Sequence, residues 1–336
     1  MNSRLNYKKY TKEEYQEIIN NKVIYLKLLT IKKLLNFRLS NDWVARKETQ
    51  ENISELEIIK KYLFNNKIEI KDNELNEKCN FQSLLVTTDD NVKIKTTYIN
   101  SWVKNPKLQN EWVVLSHGIN NHRQQAMIFG IELLRMGFNI AIFDHRGHGD
   151  SDKKQVTLGL DETKDLSAVV NYLIKNYRCS KVNFFGWSMG TFTIMNYFKQ
   201  NGFDFKINDW AILDSTTSSF RELLEWFMEN IIILNYYEYF DIVQKFIYSN
   251  FHFDVNKIEP GLDLESLHQL RCLYIGSEFD RIIPMKYAKR AYQNKVKCEP
   301  EIISVWKQYK CRHIKGIKNF NEEYLNDLKE FLNLNK

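Results

Sequence analysis

Short apolar segments alternate with amphipathic ones along most of the chain. From residue 81 onward the apolar segments have the length of strands, and the segments between them have the spacing of helices. A strand followed by a helix and then by a parallel strand forms a right-handed crossover, so the alternation predicts a mostly parallel α/β sheet flanked by helices. The predicted strands are 81–87, 92–102, 112–115, 139–143, 181–185, 210–213, 272–275 and 302–305, and the predicted helices include 122–136, 161–177 and 284–294.

Two stretches depart from this alternation. Residues 11–64 contain neither glycine nor proline and have helical patterning, so residues 1–80 are predicted to form a helical N-terminal extension. Residues 215–265 are crowded with aromatic and branched side chains and are predicted to form two or three inserted helices. Because the insertion follows a strand of the sheet, we expect it to cap the carboxyl edge over an apolar pocket. The main domain is then 81–336, with a helical cap at about 215–265.

Composition and charge narrow the class of protein. The five cysteines form no Cys-x-x-Cys pair, so neither a disulfide framework nor a zinc site is indicated, and a cytoplasmic location is expected. No secretory signal and no apolar run long enough to span a membrane are recognisable. The first forty residues carry nine Lys and Arg against three Glu, which accounts for the whole formal net charge of +6. Residues 1–40 therefore either pack on the main domain or lie peripherally on the inner, anionic membrane surface.

The segment 181–190 contains the strongest chemical signal. A predicted strand ends in Gly186-Trp187-Ser188-Met189-Gly190, and a predicted helix follows at once. A strand that turns directly into a helix strains the residue at the turn, and glycines on either side remove side chains that would collide there. We predict that Ser188 is a nucleophile, with the amide of Met189 facing its hydroxyl; the alternative is an ordinary surface serine in a turn.

A serine hydroxyl needs a base, and the base needs a carboxylate that fixes its tautomer. His313 is the only histidine that follows the last predicted strand, and Asp280 follows the strand before it. Glu278 is the alternative acid. The amide of Ile119, in the loop after strand 112–115, is the predicted second donor of an oxyanion hole.

Other histidines cluster in the two loops after strands 112–115 and 139–143. We interpret His117 as a support of the first loop beside Gly118, and His148 as a structural turn residue. A metal site in the second loop is disfavoured because its spacing matches no known ligand pattern. The side chains considered for it are Asp144, His145, His148 and Asp150.

Taken together, these motifs resemble the α/β-hydrolase superfamily, serine-hydrolase type, over residues 81 to 334. Within it the chain is similar to bacterial esterase/lipase-like and serine-aminopeptidase-like members. The matching motifs are 116–118, 144–151, 186–190, the Asp280 turn and His313. The resemblance implies the α/β-hydrolase fold, a Ser188–His313–Asp280 triad, an oxyanion hole from the amides of Ile119 and Met189, and no cofactor or metal. The helical extension is a departure from the common pattern.

The predicted activity is hydrolysis of carboxylic esters through an acyl-enzyme on Ser188. The aromatic cap favours medium or long acyl groups, so the expected partner is a small acyl ester or a lipid, with no nucleic acid. A serine peptidase or amidase of the aminopeptidase type is the alternative on the same triad. An acyltransferase and a non-catalytic binding protein are further hypotheses, since a fold alone does not imply a function.

Overall fold

A single eight-stranded sheet forms the centre of the computed structural model, which describes residues 9–39, 54–78, 80–202, 204, 206–258 and 267–333. The strand order is β1-β2-β4-β3-β5-β6-β7-β8. The pairs β1–β2 and β2–β4 are antiparallel, and the other five pairs are parallel. The strands are β1 (Gln82–Thr87), β2 (Lys93–Ile99), β3 (Glu111–Ser116), β4 (Asn139–Phe143), β5 (Lys181–Trp187), β6 (Trp210–Asp214), β7 (Arg271–Ser277) and β8 (Ser304–Tyr309).

The register aligns the carboxyl ends of the central strands. Ser116 at the end of β3 lies opposite Gly186 in β5, and Trp187 lies opposite Asp214 at the end of β6. Loops that leave these strands therefore start from one edge of the sheet, where ligands bind in open α/β folds.

Helices cover both faces of the sheet, because both faces of its parallel part are apolar. The α-helices are α1 (Lys12–Asn20), α2 (Lys22–Leu39), α3 (Glu55–Asn65), α4 (Asp72–Lys78), α5 (Met127–Met136), α6 (Glu162–Asn176), α7 (Met189–Asn201), α8 (Phe220–Phe227), α9 (Tyr236–Phe251), α10 (Met285–Cys298), α11 (Gly316–Asn319) and α12 (Asn321–Phe331). Buried residues of α3, α5 and α12 share one core with one face of the sheet, and those of α6, α7 and α10 share another with the opposite face.

The segment after β6 contains α8, a short π-helical turn at Met228–Ile232, and α9. Its buried side chains pack with Met189 and Phe192 at the start of α7, so the inserted helices lie over the edge of the sheet where β5 ends. Most of the 215–265 prediction thus falls on helices, while residues 259–266 lie outside the described residues.

The N-terminal helices make contacts at two places. Leu28 and Ile31 of α2 are buried in the same cluster as α8 and α9. The amide of Tyr10 donates to Asp241 Oδ2 in α9 over 3.1 Å, and Lys245 Nζ donates to the carbonyl of Tyr10 over 2.9 Å. Helix α3 instead packs against α5 on the sheet domain. None of the described helices is both long and apolar enough to cross a membrane.

Several predicted bounds differ from the structure. The last strand runs from Ser304 to Tyr309 rather than over 302–305. It is an edge strand whose side chains are mostly half-exposed, so polar residues in it obscured the apolar pattern. The helix predicted over 122–136 begins with a 3₁₀ turn at Arg123–Ala126, and α10 extends to Cys298 rather than 294. The short polar helix α4 had not been predicted.

Candidate active site

The turn between β5 and α7 has the strained geometry that its sequence requires. Ser188 has φ 52° and ψ −126°, a conformation that residues other than glycine seldom adopt. Its amide donates to the carbonyl of Asp214 over 3.0 Å. A Cβ on Gly190 would stand 1.9 Å from the carbonyl oxygen of Ser116, and one on Gly186 would stand 2.8 Å from the carbonyl carbon of Gly190. Neither glycine position can hold a side chain without moving the backbone.

Two backbone amides beside Ser188 have no acceptor among the described residues. They belong to Ile119 in the loop after β3 and to Met189, the first residue of α7. Both residues line the same cavity as Ser188. Gly118, the residue before Ile119, lies so close to the serine that a Cβ on it would be 3.1 Å from Ser188 Cβ. Unpaired amides at a helix N-terminus favour an anion, which is the requirement for an oxyanion hole.

His117 holds the start of this loop in place. Its Nδ1 lies 2.8 Å from the carbonyl oxygen of Gly118, and its Nε2 accepts the amide of His145 over 3.0 Å. The ring therefore donates through Nδ1 and is neutral. Complete burial lowers the pKa of His117 well below its usual value, and the rings of His145 and His148 lower it further.

His148 contacts the loop after β3 directly, which the sequence had not suggested. Its Nδ1 lies 3.0 Å from the carbonyl oxygen of Arg146, and its Nε2 accepts the amide of Asn120 over 3.2 Å. Asn120 follows Ile119, so this imidazole fixes the backbone next to the predicted oxyanion donor. Burial lowers the pKa of His148 to about 4, and the ring is neutral at pH 7.

The structure brings His313 and Asp280 together. His313 Nδ1 lies 2.6 Å from Asp280 Oδ2, and the other carboxylate oxygen accepts the amides of Ile282 and Ile283 over 2.8 and 2.9 Å. Glu278, the alternative acid, instead accepts a 3.3 Å hydrogen bond from a glutamine on β8. The geometry therefore assigns Asp280, rather than Glu278, as the partner of His313.

Ser188 is near this pair but is not bonded to it. Among the described residues, no hydrogen bond joins Ser188 Oγ to His313. The turn that follows Asp280 lines the same cavity as Ser188, through Arg281, Ile282 and Ile283. Catalytic hydrogen bonds in unliganded enzymes are often long and shorten when substrate binds.

Asp214 is a site residue that sequence reasoning missed. Its carboxylate is fully buried, accepting the Tyr324 hydroxyl over 2.9 Å and the Ser215 hydroxyl over 3.0 Å. Burial raises the pKa of Asp214 to about 6, although both hydrogen bonds and nearby His313 oppose the shift. Its place at the end of β6, on the same edge as the other site residues, was the signal available in the sequence.

An apolar cavity of about 250 Å³ opens beside Ser188. Its walls come from α2, the loop before α6, α7 and the inserted helices, so distant parts of the chain build it together. The principal wall residues are Ile31, Leu158, Phe192, Leu224, Phe227 and Ile247. A cavity with this lining accommodates a hydrocarbon chain.

The second loop is occupied by structural contacts. Arg123 NH1 lies 2.5 Å from Asp144 and 2.7 Å from Asp150, and His145 Nε2 lies 2.9 Å from the Ser116 hydroxyl. In the described part of the chain, no group of three or more His, Cys, Asp or Glu side chains is placed to hold a metal ion.

Sequence comparison gives two matches. Residues 109–229, which include Ser188, match the family model described as serine aminopeptidase, S33. The Bacillus subtilis protein YqkD is 26% identical over 185 residues, which are 54% of this chain and 59% of YqkD. The chain thus spans about three fifths of the length of that relative.

Solved structures with a similar fold include enzymes of two kinds. An esterase of Pyrococcus furiosus has a TM-score of 0.59 at 21% identity, covering 79% of this chain and 94% of its own. An esterase of Exiguobacterium antarcticum has a TM-score of 0.52 at 15% identity, covering 75% and 100%. The acylaminoacyl peptidase of Pyrococcus horikoshii has a TM-score of 0.54 at 14% identity, covering 79% and 43%.

At these identities the structural matches establish the fold. The sequence match covers the segment that contains the strained turn at Ser188. The local sequence match and the fold match over most of the chain agree, so the chain has the α/β-hydrolase fold, with residues 109–229 similar to the serine aminopeptidase, S33, family.

Proposed function

We propose that this protein is a serine hydrolase that cleaves carboxylic esters with medium or long acyl groups. The observation that carries the proposal is the apolar cavity, because Ser188 lines it together with Ile119 and Met189, the two residues with unpaired amides. An acyl chain bound in this cavity would bring its carbonyl carbon to Ser188 and turn its carbonyl oxygen towards the two amides.

The reaction follows from this arrangement. Ser188 Oγ attacks the carbonyl carbon while His313 Nε2 takes the hydroxyl proton, and Asp280 stabilises the imidazolium through Nδ1. The negative charge on the carbonyl oxygen is stabilised by the Ile119 and Met189 amides. The intermediate collapses to an acyl-enzyme, and His313 returns the proton to the departing alcohol. Water activated by His313 then releases the acid.

The triad and the activity can be tested with one set of variants. A fluorophosphonate probe should label the wild type and not Ser188→Ala, and nitrophenyl esters of two to twelve carbons should show a maximum at medium or long chains. Ser188→Ala should lose roughly 10⁶-fold in kcat. Asp280→Asn should lose about 10⁴-fold, because an asparagine stabilises neither the correct tautomer nor the imidazolium.

Glu278→Gln is the matched control for Asp280→Asn, since both residues lie in one turn but only Asp280 contacts His313. The control should retain wild-type turnover. If the folded wild type neither reacts with the probe nor hydrolyses any ester of the series, the proposed hydrolase is wrong.

A serine peptidase or amidase is the second candidate, favoured by the match of residues 109–229 to the serine aminopeptidase model. It uses the same nucleophile and differs in the leaving group. An aminopeptidase also needs an acidic group near Ser188 to bind the α-amino group of its substrate. Amino-acid anilides in the same assay distinguish the two, because an esterase turns over the nitrophenyl esters and an aminopeptidase also turns over the anilides.

A further inference from the structure

A second, smaller cavity lies next to the predicted catalytic residues and has both polar and apolar side chains in its lining. Its volume is about 120 Å³. It is formed by the end of α3, the loop and 3₁₀ turn after β3, the start of α5, the end of β5 and the loop after His313, and its apolar lining residues are Ile128, Phe129 and Ile314. Its polar lining residues are Tyr62, Asn66, Asn121, Gln125, Trp187 and Lys315.

This second cavity, named the polar cavity after those six side chains, lies beside the apolar one near Ser188. Trp187 lines the polar cavity and the next residue, Ser188, lines the apolar cavity. The point where a Cβ of Gly118 would stand lies 3.1 Å from Ser188 Cβ, 3.2 Å from Asn121 Oδ1 and 3.3 Å from Trp187 Cδ1. An ester has two arms on its carbonyl carbon, so a substrate whose acyl arm fills the apolar cavity has this neighbouring space for its alcohol arm.

Two groups in the polar cavity lack protein partners. Gln125 Oε1 is buried with no hydrogen-bond partner, so it can accept a hydrogen bond from a ligand hydroxyl. Within the described residues the Lys315 ammonium forms no ion pair. Burial, together with the neighbouring Lys318, lowers the pKa of Lys315. A bound anion relieves both effects.

No aspartate or glutamate is among the described residues that line this cavity. Its unpaired charge is positive, so it favours an anionic group and disfavours the α-amino group of a peptide substrate.

We propose that the polar cavity binds the alcohol part of the ester, and that this alcohol carries a hydroxyl and an anionic group such as a phosphate. Lys315 binds the anionic group and Gln125 accepts the hydroxyl. This inference rests on the proposed esterase function and narrows its substrate class to acyl esters of anionic, hydroxylated alcohols.

The test compares three soluble esters with the same octanoyl chain: octanoylglycerol, octanoylglycerol phosphate and octanoylcholine, all below their aggregation concentrations. The wild type should have a kcat/KM at least tenfold higher for the phosphate than for the neutral ester, and the choline ester should be the poorest. Lys315→Gln should lower the phosphate-to-neutral ratio at least tenfold, mainly through KM. Lys310→Gln, an exposed lysine of the same loop, should leave the ratio as in wild type.

Equal kcat/KM for the phosphate and neutral esters, or the same ratio in Lys315→Gln as in wild type, would overturn the proposal. Hydrolysis of nitrophenyl octanoate and labelling of Ser188 are measured in parallel, so that a failure of the esterase function is distinguished from a failure of the subsite. If Lys315→Gln does not fold, Gln125→Glu replaces it. A carboxylate in the cavity should lower the same ratio by repelling the phosphate.

Discussion

His148 occupies a buried position where only the neutral ring fits. It accepts the amide of Asn120 and lies in contact distance of His117, with 5.0 Å between the ring centroids. A proton on Nε2 would remove the acceptor and place a charge in a fully buried site. The shape of the loop after β3, which contains Ile119 and Asn120, is therefore linked to the protonation of His148.

We predict that His148 makes the protein less stable in acid. Its folded pKa of about 4 lies below the ordinary value of 6.5, so its contribution to stability is complete above pH 6.5 and is lost as pH falls towards 4. The loss is on the order of 3 kcal/mol. His148→Gln keeps an acceptor for Asn120 and removes the titration. Between pH 7 and 4 the free energy of unfolding should fall by less in this variant than in wild type.

The titration of Asp214 changes the free energy of unfolding in the opposite direction from that of His148. The pH dependence of His148→Gln must therefore be compared with that of the wild type. Its raised pKa of about 6 means that the folded state gains stability as pH falls from 6 to 4. Both proteins contain Asp214, so its effect cancels in the difference. His252→Asn, at an exposed helix end, is the control and should follow the wild-type profile. Identical slopes for wild type and His148→Gln would contradict the prediction.

At the residue scale, the sequence predicted those side chains whose role depends on their immediate neighbours in the chain or on their place after a strand. The serine turn is encoded by five consecutive residues, and Asp280 and His313 each follow a strand at the same edge of the sheet. The contact of His148 with Asn120 joins two loops, and the Asp214 carboxylate is held by Tyr324 from the last helix. Such contacts depend on tertiary packing, which a single sequence does not specify.

At the scale of elements, α2 is part of the wall of the apolar cavity. Ile31 lines the cavity and is 1% exposed, whereas Val23, on the outer face of the same helix, is 62% exposed. One helix of the N-terminal extension thus limits the space in the apolar cavity.

A larger side chain at position 31 should shorten the preferred acyl chain. Because the cavity holds only about 250 Å³, Ile31→Trp should lower kcat/KM for a dodecanoyl ester at least tenfold relative to an acetyl ester. Val23→Trp adds the same ring to the outer face and should leave the chain-length profile unchanged. An unaltered profile in Ile31→Trp would show that α2 does not limit the acyl group.

The elements themselves were predicted unevenly, for physical reasons. Central strands such as β3 and β5 are buried on both faces, so their sequences are continuous apolar runs that are easily recognised. The edge strand β8 is half-exposed and contains Lys307 and Gln308, which shifted its predicted bounds. The packing of α2 on α9 could not be predicted, because the cations of α2 lie on several sides of the helix.

At the scale of the whole molecule, an excess of positive charge and exposed apolar side chains occur together near the N-terminus. Residues 1–40 carry nine cations and three anions. Leu28 and Ile31 face the inserted helices, while Val23 and Leu26 are 62% and 53% exposed. We propose that this outer face of α2 contacts an anionic membrane surface.

The proposal predicts co-sedimentation of the full-length protein with phosphatidylserine-containing vesicles and release at high salt. Leu26→Glu should weaken binding several-fold, because it places an anion on the contacting face. Leu85→Glu, at a similarly exposed position on β1, should bind as the wild type does. Point variants are preferable to deletion of residues 1–40, which would uncover apolar side chains of α9. Full-length protein that stays in the supernatant at low salt would refute the proposal.

The hydrogen bonds of Tyr10 with Asp241 and Lys245 link the start of α1 to the middle of α9. We therefore expect that residues 9–39 and 220–258 have to be exchanged together if the walls of the apolar cavity are to be replaced, while the turn that contains Ser188 stays unchanged. Such an exchange alters the cavity walls and leaves the sheet edge with Ser188, Asp280 and His313 as it is.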